Sequence, residues 1–281
     1  MPLHLSEAEI IERAVLLPAF PTVVNDILKT LDDDNATIGT LSSLVERDPV
    51  ITGRIFSLAN TAAMGGRSQR ELKDMQVAVS LIGLSRVREI VLAVSLAEFS
   101  RESRMSNYFW EHSVAVGVAA QELARIAHFS VDYALVGGLL HDIGQLWMAR
   151  CYPLEFQRVR MATQARPQAC ILETERAHFG TDHCVVGRVL ANAWQLPASV
   201  VAAIAHHHDR YPPADKLVAT THVAEAIANA LDLSHHEEAR VGQLSEAACE
   251  QLSLDWHADL NYLFGKIEAR TRYLCETFVA A

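Results

Sequence analysis

The chain has 281 residues, half of them apolar, and a formal net charge of −10 from 34 acidic against 24 basic residues. That length and apolar share are enough for a sizeable core in one large domain or two ordinary ones. The acidic balance disfavours nonspecific binding to nucleic acid or anionic membranes, because both require clustered Lys and Arg to neutralise phosphates. Five cysteines (Cys151, Cys170, Cys184, Cys249, Cys275) form no CxxC pair and read as reduced thiols of a cytoplasmic protein. No apolar run reaches the roughly 18 residues of a membrane span. The N-terminus, Met1-Pro2-Leu3-His4, has neither a basic region nor a signal-peptide core.

Helical periodicity runs through nearly all of the sequence. Ser6 with Glu9 makes a capping box ahead of Ile10, Ile11, Ala14 and Val15. Pro18 and Pro21 break that helix, and Val23, Val24, Ile27, Leu28 and Leu31 recur in the next. Asp32-Asp33-Asp34-Asn35 is a solvated turn, since it lacks the Gly and distal Glu of a calcium loop. Thr37 caps a helix with Ile38, Leu41, Leu44 and Val45 inward. Asp48-Pro49 is an N-cap with Pro at the first helical position, opening a helix that Gly65-Gly66 ends. Two further helices divide near Gly83 and Ser85. A helix holding His112 runs to about Ala127. The next carries Leu139, Leu140, His141 and Asp142, with Gly137-Gly138 allowing close packing. Pro153, Pro167 and Pro197 each start a helix, the last ending in His206-His207-His208. Pro212-Pro213 marks a loop, and two or three amphipathic helices follow from Ala214. No window alternates at period two, so the fold class is all-α.

The histidines carry the chemical signal. His141 and Asp142 follow the apolar stretch Leu135-Val136-Gly137-Gly138-Leu139-Leu140 and are therefore expected to be buried. A buried carboxylate requires a cation or hydrogen-bond donors. Imidazole and carboxylate together suit Fe, Mn, Zn, Ni or Mg. His112, His183 and His222 also lie in apolar helical surroundings. The run at His206 to His208 ends an apolar helix, where a surface role beside the helix dipole competes with a ligand role.

At these residues the chain resembles the HD superfamily, and more closely its HDOD branch. The second half carries His112, then Leu140-His141-Asp142-Ile143-Gly144-Gln145, then Gly180-Thr181-Asp182-His183, then Trp194-Gln195-Leu196-Pro197 and His207-His208. The first half carries Leu17-Pro18-Ala19-Phe20-Pro21, Asp48-Pro49, Ser57-Leu58-Ala59-Asn60 and Ala78-Val79-Ser80-Leu81-Ile82-Gly83. The likeness covers about residues 12–210. It implies a multi-helix HD-type bundle with an N-terminal helical subdomain over residues 1–105. A metal-site subdomain over 106–232 and a helical extension over 233–281 would complete it.

Matched to the related HD-GYP phosphodiesterases, His112, His141, Asp142, His183, His207 and His208 fall on metal-ligand positions, and His222 stands where a late Asp is usual. Gln145 replaces the usual Lys, and Asp209-Arg210-Tyr211-Pro212-Pro213 replaces the GYP loop. The resemblance thus implies a bacterial signalling or regulatory protein with one or two divalent ions and hydrolase activity on a phosphoester or nucleotide. Asp142, Gln145 and Arg210 would act on the substrate, with Arg188 a second candidate phosphate clamp. The competing function is a non-catalytic adaptor that binds an unknown signalling protein. DNA reading is the weaker competitor: the helix-turn-helix outline over 37–62 offers only Arg54, Ser57 and Asn60, with Glu46 and Asp48 beside them. Arg67, Arg70 and Lys73 form a local basic cluster that reads as a solvated loop.

Overall fold

The computed structural model describes residues 3–16, 26, 29–30, 37–64, 72, 74–102, 107–165, 170–233, 244–255 and 260–279. The Leu17 to Pro21 motif, the turn at Asp32 to Asn35, Gly65-Gly66, the Arg67, Arg70 and Lys73 cluster and the Pro167 helix start lie outside them, as does most of the expected helix over 23–31. Every regular element among the described residues is an α-helix.

The chain forms two compact units. One spans residues 19–96, and the other joins residues 1–18 to 97–281. This division differs from the expected boundary at residue 105, because helix α1 (Glu7–Ala14) belongs with the histidine-bearing half. Backbone bonds hold it there: Leu3 N–H donates to the His178 carbonyl at 2.8 Å, and Leu5 N–H to that of Phe179 at 3.0 Å. Ser6 caps α1 through Glu9 N–H. The Glu9 carboxylate accepts from the Tyr152 hydroxyl and pairs with Arg13.

The smaller unit is built from capped helices. Thr37 and Thr40 form a capping box on α2 (Ile38–Val45). Asp48 Oδ1 accepts from Ile51 N–H at the start of α3 (Pro49–Met64), as the Asp-Pro pair predicts. Asp74 caps α4 (Met75–Ile82), and Gly83, at φ 90°, makes the left-handed turn into α5 (Leu84–Glu102). Leu41, Val45, Ile55, Ala59, Ala78 and Val79 are all buried between α2, α3 and α4. Asn60 Oδ1 accepts from Leu72 N–H at 2.8 Å, which commits that oxygen to the fold.

The larger unit is organised around α6 (Asn107–Ile126), which packs against α7 (Val131–Leu140), α13 (Lys216–Ala230) and α15 (Asn261–Val279). Glycine sets the closest crossing. A Cβ on Gly138 would stand 2.7 Å from the Gly117 Cα, so the two backbones touch. The remaining helices are α8 (Ile143–Cys151), α9 (Pro153–Gln164), α10 (Ile171–Phe179), α11 (His183–Ala193), α12 (Ala198–His206) and α14 (Glu246–Gln251). Trp147 and Phe179 are the largest aromatic side chains fully buried among them.

An ion cluster fastens α15 to α6. Glu122, 3% exposed, is paired with Arg125 at 2.6 Å, Lys266 at 2.8 Å and Arg270. Burial alone would raise the Glu122 pKa. Hydrogen bonds from Lys266 and Arg270, with the Arg125 charge, outweigh burial and hold it below the usual range. A depressed folded-state pKa stabilises the fold above the unfolded value, and that stability is lost as pH falls through the folded value. Glu122→Gln is expected to cost on the order of 2 kcal/mol at neutral pH. The gap from wild type should close below about pH 4, which denaturant titrations at the two pH values would check.

Candidate metal centre

His112 projects from within α6, and the other histidines of the site are placed by helix ends. Helix α7 stops at Leu140, so the His141-Asp142 pair sits at a break between α7 and α8 and not inside one helix as expected. No proline signals this break. The His141 ring makes it: Nδ1–H donates to the Gly138 carbonyl at 2.7 Å, satisfying one of the carbonyls that a helix end leaves without a partner. His207 repeats the device at the end of α12, its Nδ1–H donating to the Ile204 carbonyl at 2.9 Å. In both cases Nε2 is left to face inward.

His183 arrives from a helix start. Gly180, at φ 71°, closes α10 in the left-handed region. Asp182 caps α11 by accepting from Val185 N–H at 2.9 Å, and Arg176 holds its other oxygen at 2.6 Å. His183 is therefore the first residue of α11, not one turn in as its sequence neighbours suggest. Glu175 Oε2 accepts from both the backbone N–H (2.9 Å) and Nδ1–H (2.7 Å) of His183. Gly144 lets α8 reach this point, since a Cβ there would stand 2.0 Å from the His183 carbonyl oxygen.

The imidazoles converge on one carboxylate. His141 Nε2 and His112 Nε2 lie 3.3 Å and 3.9 Å from Asp142 Oδ2. His183 Nε2 and His207 Nε2 lie 3.3 Å and 3.6 Å from Oδ1. The last two nitrogens are 3.4 Å apart. Ligands about 2.1 Å from a shared ion stand about 3 Å from one another, so the set has the dimensions of a coordination sphere. His208 Nδ1 lies 3.7 Å from Glu225 Oε2. Ligand atoms of His141, His207 and Glu225 come within 4.8 Å of each other. His141, His183 and His207 are fully buried, whereas the His208 side chain is 25% exposed, so the site faces solvent on the His208 side.

The residues fit a metal ion. His141 Nε2 and Asp142 Oδ1 are buried and make no hydrogen bond. With Nδ1–H of His141, His183 and His207 each committed elsewhere, their Nε2 lone pairs point at a carboxylate, an arrangement that only added positive charge stabilises. Burial would raise the Asp142 pKa, but His141, His207 and His183 outweigh it and hold the carboxyl well below its usual range. Burial, with His208 and His141, pushes His207 down to about 3. Burial and His141 push His112 down to about 4. At neutral pH both offer lone pairs. At His141 the Asp142 carboxylate outweighs burial and raises the pKa, so in the absence of an ion a proton competes for this nitrogen.

Four other expected residues have the following surroundings. His222 is not placed as a ligand: Nδ1–H donates to the His207 carbonyl at 2.6 Å, and Nε2 accepts from Ser245 N–H at 2.9 Å. Both ring nitrogens are spent on backbone, so His222 braces the His207 turn. The acid that reaches the cluster from the same helix is Glu225, one turn further on. The Arg210 guanidinium is exposed and lies 5.6 Å from the Tyr211 ring centroid. Arg188 pairs with Glu7 at 2.7 Å, and Gln145, half-buried, meets Asp142 through its backbone N–H at 2.9 Å. His206 fits the surface account of a helix C-terminus, bonded to Asp209 at 2.8 Å with 43% of its side chain exposed. Glu175 and Glu225 escape sequence reading, although an acid three residues after His222 in an apolar helix was the available sign.

Among the described residues the fold is helical, and the larger unit holds a buried His/Asp cluster. The HDOD domain family matches residues 17–210, more than two thirds of the chain, and the chain belongs to that family. A curated protein of Treponema pallidum, named only as uncharacterized, is 23% identical over 72% of this chain, which spans 39% of that relative's length. Among solved structures, an HDOD domain protein of Geobacter sulfurreducens of unknown function superposes with TM-score 0.68 and 23% identity over 92% of this chain and 93% of its own. A Shewanella amazonensis protein carrying a phosphohydrolase designation gives 0.71 and 21% over 96% and 97%. A Marinobacter aquaeolei protein designated for signal transduction gives 0.76 and 19% over 99% and 62%. At these identities the likeness is one of fold.

Two outcomes test the geometry. Gly144→Ala is expected to destabilise the protein by about 2 kcal/mol or more, because the His183 carbonyl is backbone and cannot swing aside; thermal unfolding would show it. Glu175→Gln is expected to lower metal affinity roughly 10–100-fold, as loss of a group orienting a ligating imidazole does, read by chelator competition.

Proposed function

We propose that this chain is a metal-dependent phosphohydrolase of a bacterial signalling pathway, acting on a phosphoester or nucleotide. One observation carries the reading: four imidazoles present Nε2 to the two oxygens of Asp142, three of them with Nδ1 tied to a backbone carbonyl or to Glu175. His112 and His141 face one carboxylate oxygen, His183 and His207 the other. Asp142 and these imidazoles are the groups that would hold one or two ions. A bound divalent ion lowers the pKa of water towards neutrality and neutralises charge on phosphate oxygens.

The chain's own groups would do the rest. His208, on the solvent-facing side, has its pKa pushed down by burial and would offer a lone pair to an ion at neutral pH. The Glu225 carboxylate stands beside it at 3.7 Å. The fully buried rings of His141, His183 and His207 exclude bulk water from the far side of Asp142. Arg210, in the loop after His208, is the nearest basic residue in sequence to the solvent-facing side and would clamp a phosphate on leaving Tyr211. Names of similar structures that mention phosphohydrolase and signal transduction support the same direction.

A non-catalytic adaptor is the second reading. The complete burial of three of the imidazoles favours it, since an enclosed ion would staple helix ends without meeting substrate. Protein purified without chelators is expected to hold one or two divalent ions per chain, and His141→Ala/Asp142→Ala to lose the ion that Asp142 would anchor. Hydrolysis of phosphomonoesters, phosphodiesters or nucleotides should fall at least about 1,000-fold in that variant. Equal, negligible metal in both proteins would remove the centre. Stoichiometric metal with no turnover on any substrate class would leave the adaptor.

A further inference from the structure

Beside the Asp142 cluster lies a sulfur that its chemistry does not use. Cys184 follows His183 in the first turn of α11 and is 6% exposed. Its Sγ lies 4.0 Å from both Nδ1 and Nε2 of the His207 ring. One ligand atom from each of His183, Cys184, His207 and His208 lies within 4.8 Å of every other. The same pocket receives Asp142 Oδ1, a buried carboxylate oxygen with no hydrogen bond, 3.3 Å and 3.6 Å from the His183 and His207 nitrogens.

We infer that Cys184 is a metal ligand, and that with His183, His207 and His208 it forms a nitrogen–sulfur site for a zinc-class ion at one end of the cluster. This rests on the reading of the cluster as a metal centre and adds to it a thiolate that the histidines and Asp142 do not require. Zinc–sulfur and zinc–nitrogen bonds of about 2.3 Å and 2.0 Å at a tetrahedral angle set sulfur and nitrogen about 3.5 Å apart. Sγ is equidistant from the two His207 ring nitrogens and so stands to the side of the Nε2 lone pair; coordination would require it to swing toward Nε2 by rotation about the Cys184 χ1 bond. Thiolate with imidazole favours zinc over the hard ions magnesium and manganese, so the cysteine narrows the choice of metal. Binding replaces the thiol proton by the ion and releases that proton to solvent. The 25% exposure of the His208 side chain leaves a path for both.

Cobalt(II) titration of the full chain tests the assignment. Wild type is expected to show visible cobalt bands together with an intense near-ultraviolet sulfur-to-cobalt band. Cys184→Ser should keep the visible bands, lose the near-ultraviolet band and bind zinc at least about tenfold more weakly. Should the serine variant fail to fold, judged by its helical circular dichroism, Cys184→Ala takes its place. Visible bands in wild type without the sulfur band would overturn the thiolate site and leave the His/Asp centre standing. A sulfur band that persists without Cys184 would assign it to another cysteine and equally overturn the proposal. No cobalt bands at all would remove both.

Discussion

A carboxylate inside protein has to be balanced, and the larger unit is arranged to balance Asp142. Four imidazoles from four helices or helix ends stand within 3.9 Å of its oxygens. Without positive charge among them, the burial of that charge would be costly. The close crossing at Gly144, the cap at Asp182 and the left-handed Gly180 all serve to deliver His183 to this one point.

Orientation is as important as proximity. An imidazole offers a lone pair on one nitrogen only if the other holds its proton, and backbone carbonyls decide this for His141 and His207. Both are helix C-terminal residues that cap a carbonyl three residues back. A need of the backbone, the orphaned carbonyl at a helix end, thus sets the tautomer of two metal-facing rings. Glu175 does the same for His183 at a helix start.

Much of this was legible in the sequence. The all-α class followed from periodicity, and Thr37, Asp48-Pro49, Pro153 and Pro197 mark helix starts where the structure has them. That His141 and Asp142 are buried followed from their apolar neighbours, whereas the meeting of His112, His141, Asp142, His183 and His207 was implied by the family resemblance. The break between His141 and Asp142 was hidden because a side chain, not a proline or glycine, creates it. His222 looked like a ligand because burial and pattern cannot show which atoms a ring nitrogen meets. Glu225 and Glu175 were hidden because ordinary helices carry many acids, and only folding selects those two.

The bond from Ser245 N–H to His222 bears on how this protein can be divided. Helix α14, which Ser245 caps, lies beyond residue 232, where a motif-based trimming would naturally cut. A fragment ending there would retain Asp142 and the imidazoles around it while losing the donor that anchors the brace under His207. Shortened versions made for expression or crystallisation would then report on a loosened turn, and weak metal retention in them would describe the cut and not the native centre.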